Sequence, residues 1–311
     1  MHETTRLLRD LVAIPSVNPM GRPLAGPDYS EHRVTAYLEA FFRDLAVPCE
    51  KQVAIAPRRE NVVARYEAPG AKRTLLWEVH QDTVPVDNMT IEPFAGKIES
   101  GRLYGRGACD IKCGMAAMLA AFARLVREKA TGTNVILACT VDEEFTFRGV
   151  VELVKRGVKA DMAIVAEPTQ LDIVHAHKGA CRWHLFTTGV SHHSSSPEKG
   201  VNALYRMGKV LVGIERFAEH LRTKRNDPVL GPATISVGRI EGGLSVNTVP
   251  DRCRIEIDRR VVGGEDPAAA PGELLAFLRE HCGLDFLIEC DKPWTCKGPL
   301  VSNNAAVVQS L

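Results

Sequence analysis

No apolar run in this sequence approaches the ~18 residues needed to cross a bilayer. Met1 to Asp10 carries charges and lacks the apolar stretch of a secretory leader. Neither sign of charge dominates, since 39 Lys and Arg stand against 38 Asp and Glu, a net of +1. No field is available to draw nucleic acid or an anionic membrane, and neither is expected as a partner. The nine cysteines are an odd count, and Cys139 and Cys253 sit inside strand-like runs. That usage points to reduced, buried thiols in a cytoplasmic protein rather than to a disulfide framework. Cys109 and Cys113 flank an aspartate, but no second closely spaced pair completes a zinc knot. Internal repeats and low-complexity tracts are also missing.

What is present is the composition of an ordinary globular enzyme, 45% hydrophobic and 25% charged. A length of 311 residues suggests about two domains. In the first half, strand and helix signals alternate. Residues 61–66, 74–79, 134–141 and 161–166 are short apolar runs of the kind that bury both faces in a sheet. Residues 113–129 are rich in Ala, Leu and Met and predict a helix. Residues 150–156 predict a second helix, stopped by Gly157. This alternation predicts an α/β domain with a mixed, largely parallel sheet and helices on both faces.

The second half reads strand, helix, strand, strand, helix, strand, over residues 180–188, 201–221, 233–240, 252–262, 268–282 and 285–290. That is the order of a ferredoxin-like split arrangement. The expected layout is a catalytic domain over 1–178, an inserted α+β domain over 179–291, and a return to the first domain from 292 to 311. Only residues 302–311 then remain, a helix-like start.

Several acids and a histidine fall at predicted strand ends, where open α/β sheets bind ligands. His80 and Asp82 follow the strand ending at Val79. On extended backbone they point the same way, and a carboxylate beside a histidine orients it as a ligand. Asp110 lies in a glycine-rich turn, Gly105 to Gly114, leading into a helix. The turn lacks the Gly-Lys-Ser/Thr ending of a phosphate loop, and Asp110 would repel phosphate. Asp142, Glu143 and Glu144 end a buried strand, where a cation would compensate their repulsion. Glu167 ends another. For each, the plainer reading is a solvated strand end or loop. Together, one imidazole and several carboxylates suit divalent ions, zinc above all and also cobalt or manganese. Two metals would polarise a carbonyl and activate a water, and a spare glutamate would take its proton.

The sequence resembles the metallopeptidase family of acetylornithine deacetylase, succinyl-diaminopimelate desuccinylase, aminoacylase and glutamate carboxypeptidase. The motifs run in order from Leu11-Val12-Ala13-Ile14-Pro15-Ser16-Val17-Asn18-Pro19 to about Arg260. The resemblance implies two divalent metals, with His80 and Glu167 on the first, Glu144 on the second, and Asp110 bridging. It implies that Asp82 supports His80, that Glu143 is the general base, and that the Asp110-Ile111 peptide is cis. In Gly189 to Pro197 it implies a homodimer through the inserted domain, with His193 reaching a partner's active site to stabilise the oxyanion. It implies that Asn247 positions the substrate and that Arg260 clamps its carboxylate. His175 and His177 are read as structural or substrate-lining.

The expected activity is hydrolysis of the amide in an N-acyl amino acid, with an ornithine-like substrate first. A dipeptidase or carboxypeptidase acting on a short peptide is the alternative among enzymes, and a non-catalytic dimerising homologue the alternative outside them. The family's second, late histidine ligand has no counterpart after His281. The expectation is therefore a fragment of a longer product, with a degenerate homologue as the alternative, that binds the second metal weakly and hydrolyses poorly.

Overall fold

The computed structural model describes residues 1–224 and 226–301, in two compact units that divide between Asp172 and Ile173. The first unit contains α1 (Glu3–Val12), α2 (His32–Asp44), β1 (Cys49–Ile55), β2 (Arg59–Tyr66), β3 (Arg73–His80), α3 (Lys112–Glu128), β4 (Thr133–Thr140), α4 (Arg148–Lys155) and β5 (Met162–Val165). One sheet runs in the order β1-β2-β4-β3-β5. β3 is parallel to both β4 and β5, whereas β1–β2 and β2–β4 are antiparallel. The sheet is thus mixed, as expected, but it is half parallel rather than largely so. The reason is the short link from Ile55 to Arg59, which permits only an antiparallel hairpin; a parallel neighbour needs a crossover of about a dozen residues. β1 escapes a search for apolar runs because only Gln52 in it is buried.

Helices cover both faces. Met115, Leu119 and Phe122 recur at helical spacing on α3 and bury against Val62, Val79, Leu137 and Cys139 of the strands. α1 and α2 add Leu7, Leu11, Leu38 and Phe42 to the same core. Val63, Ile136 and Ala138 point through the sheet to meet Leu153 of α4. Leu119 is fully buried, so trimming it to Ala costs about 2–5 kcal/mol. Because β3, β4 and β5 are parallel, the residues after His80, Thr140 and Val165 emerge at one edge of the sheet.

The second unit begins with a short strand, Ala176–His177, and continues with β6 (Gly179–Thr188), α5 (Ala203–Lys224), β7 (Thr234–Gly242), β8 (Arg252–Val261), α6 (Ala270–His281) and β9 (Ile288–Cys290). Its antiparallel sheet has the order β7-β8-β6-β9. That strand order, with one helix after the first strand and one after the third, is the ferredoxin-like pattern. Met207, Val210, Ile214 and Phe217 of α5 and Leu274 and Leu278 of α6 cover one face, against Trp183, Leu185, Ile255 and Ile257. Beyond residue 292, β10 (Thr295–Lys297) still pairs with β6, and Leu300–Val301 pairs with Ala176–His177. The helix-like start at 302–311 lies outside the described residues.

Candidate metal centre

His80 closes β3 and is buried. Its Nδ1 lies 2.9 Å from the backbone oxygen of Asp82. A carbonyl only accepts, so Nδ1 carries a proton, and Nε2 faces the sheet edge. Nε2 is 3.3 Å from Oδ1 of Asp110 and 3.9 Å from Oε2 of Glu143, yet it has no hydrogen-bond partner. Oε1 of Glu144 is likewise buried without one. Donor atoms of His80, Asp110 and Glu144 lie within 4.8 Å of one another, and so do those of His80, Glu143 and Glu167. The five residues come from four separate segments of the chain.

Asp82 ties two of these segments together, its own with His80 and the one with Glu143 and Glu144. Fully buried, it accepts the backbone N–H of Glu143 on Oδ1 at 3.1 Å and that of Glu144 on Oδ2 at 3.2 Å. The side-chain amide of Asn18 adds a third donor at 2.7 Å. Burial alone would raise the Asp82 carboxyl, but His80 and Asn18 hold it below the usual range. The Asp110–Ile111 peptide is cis.

The electrostatics are those of a site short of positive charge. Burial opposes protonation of His80, yet Asp110, Asp82 and Glu143 outweigh it and push the imidazole up to about 11. Burial pushes Glu144 up to about 7, with Asp110 adding to it. Burial and the neighbouring Glu143 push Glu167 up to about 7. Glu78, buried on β3 two residues before His80, is raised by burial as well and accepts from the Thr140 hydroxyl. A dication suits this set: it would give the two partnerless atoms a partner and compensate the clustered acids. Cysteine takes no part. Cys113 donates to the Cys109 carbonyl, and no thiol joins either donor group among the described residues.

His193, Asn247 and Arg260 belong to the second unit. Two of its motifs meet: Val249 N–H donates to the His192 carbonyl at 2.8 Å, and Ser194 N–H to that of Asn247 at 3.0 Å. Nδ1 of His193 accepts from Ser195 N–H, which leaves Nε2–H as a free-standing donor. Arg260 is elsewhere. It sits near the end of β8, held by Asp258 at 2.9 Å, whereas Asn247 precedes the start of that strand. Arg252 and Arg260 are eight positions apart on β8, roughly 26 Å, so Arg260 lies toward the opposite end of the strand from the loop that holds Asn247. His175 and His177 are both exposed.

Four contributors had no role assigned from the sequence. Asn18 lies in the Leu11 to Pro19 motif, but its link to Asp82 crosses 64 residues. Glu31 and Arg59 form a buried pair behind Asp142. Glu78 did leave a signal, an acid inside an otherwise apolar strand.

The model of peptidase family M20/M25/M40 matches residues 76–309. The chain belongs to that family. An acetylornithine deacetylase of Myxococcus xanthus is 34% identical over 225 residues, 71% of this chain and 58% of that protein. The chain thus matches less than two thirds of that relative's length. Among solved structures, an M20 family metallo-carboxypeptidase, Sso-CP2 of Sulfolobus solfataricus, is similar with a TM-score of 0.77 at 23% identity, covering 100% of this chain and 82% of that one. The Bacillus subtilis YXEP protein, described as a dinuclear metal binding peptidase, has a TM-score of 0.63 at 15% identity over 99% of this chain and 78% of its own. These two likenesses establish the fold. Among the described residues, no helix of this M20 chain is long and apolar enough to cross a membrane.

Proposed function

We propose that the chain is the metal-binding part of a cytoplasmic, metal-dependent hydrolase that cleaves the amide bond of N-acyl amino acids, an acetylated ornithine-like substrate first among them. The observation that carries this reading is the pair of buried, partnerless donor atoms, His80 Nε2 and Glu144 Oε1, gathered with Asp110 in one group. His80, Asp110, Glu144 and Glu167 would hold two divalent ions, zinc first, with cobalt or manganese as substitutes. Such ions polarise a carbonyl and lower the pKa of water.

The chain's own residues supply the rest. Asp82 fixes the His80 ring through the backbone and sets the 143–144 turn. Glu143 takes a proton from the attacking water and hands it to the leaving amine. Glu143 also falls within the second donor group, which supports this role. His193 offers its Nε2–H to the developing oxyanion, and Asn247 orients the substrate. Arg260 grips the carboxylate of the amino-acid part. Since Asn247 and Arg260 stand at opposite ends of β8, a complete substrate site takes them from two copies, which supports a homodimer formed through the second unit. Dipeptide or C-terminal peptide cleavage is the second reading, favoured by the peptidase names of the structural neighbours.

The test is hydrolysis of N-acetyl amino acids by zinc- or cobalt-loaded protein and by its Glu143→Gln variant. Turnover is expected to fall by roughly 10²–10⁴-fold in the variant with metal uptake unchanged. Unaltered turnover would remove Glu143 as the base. Wild type that takes up no metal would favour a non-catalytic homologue.

A further inference from the structure

We infer that Glu31, Arg59 and Asn18 are positioning residues that set the turn carrying Glu143 and Glu144, an assignment that rests on the hydrolase reading above. The turn begins at Asp142, whose φ of +65° is a left-handed conformation that residues other than glycine seldom adopt. It is this reversal at the end of β4 that swings the N–H groups of Glu143 and Glu144 onto Asp82. Left alone, an aspartate would relax from it, so something must over-determine it.

Five hydrogen bonds hold Asp142 in it. Asp142 N–H donates to Oε1 of Glu31 at 3.2 Å. Its Oδ1 accepts from Asn18 Nδ2 at 3.0 Å and from Arg59 Nη2 at 3.1 Å. Its Oδ2 accepts from the Thr146 hydroxyl, and its carbonyl accepts the N–H of Phe147 at 2.7 Å. Glu31 is itself gripped by Arg59 in a two-pronged pair, 2.7 Å on each side. Glu31 and Asp142 are buried, and Arg59 is nearly so. One guanidinium thus neutralises two buried carboxylates, a task that a lysine's single point of charge performs less well. Asn18 completes the frame: the same Nδ2 donates to Asp142 and to Asp82, so it locks the start of the turn to the residue that receives its N–H groups.

None of these three side chains joins a candidate donor group; Glu31 and Arg59 reach the reacting atoms through the 142–144 backbone, and Asn18 through that backbone and through Asp82. The consequence is specific. Removing Arg59 displaces Glu143 and Glu144 together, which lowers metal affinity at Glu144 and turnover through Glu143 while leaving substrate grip intact.

The experiment compares wild type with Arg59→Met, Arg59→Lys and Glu31→Gln by zinc calorimetry, by kcat and KM on an N-acetyl amino acid, and by unfolding midpoint. For Arg59→Met, zinc affinity is expected to fall about 10–100-fold, as for other groups that orient ligands. kcat is expected to fall by at least ~10-fold with KM within ~3-fold, and Arg59→Lys to recover part of both. If Arg59→Met does not fold, Glu31→Gln and Arg59→Lys carry the same readouts in milder form. A lowered midpoint with zinc affinity and kcat of the folded protein unchanged would overturn the inference, leaving a packing role only. A wild type that binds zinc but hydrolyses nothing would defeat the hydrolase reading, while a zinc affinity lost in Arg59→Met would still uphold the positioning one.

Discussion

The backbone N–H of Glu143 donates to Oδ1 of Asp82 at 3.1 Å, across 61 residues of chain. A buried carboxylate next to a histidine therefore does two things at once. Through its backbone carbonyl it orients the His80 ring, and through its side chain it sets the turn that carries Glu143 and Glu144. The ends of β3 and β4 are coupled into one rigid edge.

Asp82→Asn tests that coupling. One face of the new amide is a donor, so it meets at least one backbone N–H head-on. Zinc affinity is expected to fall about 10–100-fold by calorimetry. The wild-type carboxyl is held below its ordinary value, so it stabilises the metal-free fold above pH ~4, where the unfolded group is already ionised. That contribution is lost as the pH falls through the lower, folded-state value. The variant is therefore expected to show a shallower acid dependence of its unfolding midpoint.

Metal binding is expected to release protons. In the metal-free protein His80 is pushed up to about 11, and Glu144 and Glu167 to about 7. At pH 7 the imidazole is protonated and the two glutamates are partly so. A dication displaces those protons, so affinity rises as pH increases through 7 and weakens below it. Calorimetry at pH 7 in two buffers of different ionisation enthalpy reads the count, with at least one proton per protein expected. Heats that do not depend on the buffer would contradict this.

Gly149→Ala reaches the site through packing alone. A Cβ there would lie 2.3 Å from the Val141 carbonyl and 2.4 Å from its nitrogen. Neither atom can move without shifting the strand end just before Asp142. A loss of about 1–3 kcal/mol is expected in denaturant unfolding, accompanied by reduced zinc affinity. Unchanged stability would show that this strand end yields more easily than its hydrogen bonds to Gly149 and Asn61 suggest.

The strand ends that carry His80, the acids at 142–144 and Glu167 are legible because buried strands leave apolar runs and polar residues then stand out. The second unit's order is legible for the same reason, helped by the helical spacing of Met207, Val210, Ile214 and Phe217. β1 is not, since three consecutive polar residues interrupt it and only Gln52 is buried, and missing it makes the sheet look more parallel than it is. The positive φ of Asp142 leaves no mark in composition, because glycine is the residue that advertises such a turn. Asn18, Glu31 and Arg59 act through contacts that close only when distant segments fold together. Local pattern carries no trace of them.

Arg260→Lys separates binding from chemistry. The two nitrogens of the guanidinium that now meet Asp258, at 2.9 and 3.0 Å, form the fork suited to a carboxylate. With an N-acetyl amino acid as substrate, KM is expected to rise about 10-fold or more while kcat stays within ~3-fold. A variant that loses kcat at constant KM would move Arg260 out of substrate binding.

The most direct measurement is anomalous X-ray diffraction at the zinc edge from crystals grown with zinc. Peaks are expected within coordination distance of His80 Nε2 and of the carboxylates of Asp110, Glu144 and Glu167. Zinc bound elsewhere, with those four side chains making no contact to it, would contradict the proposed metal centre.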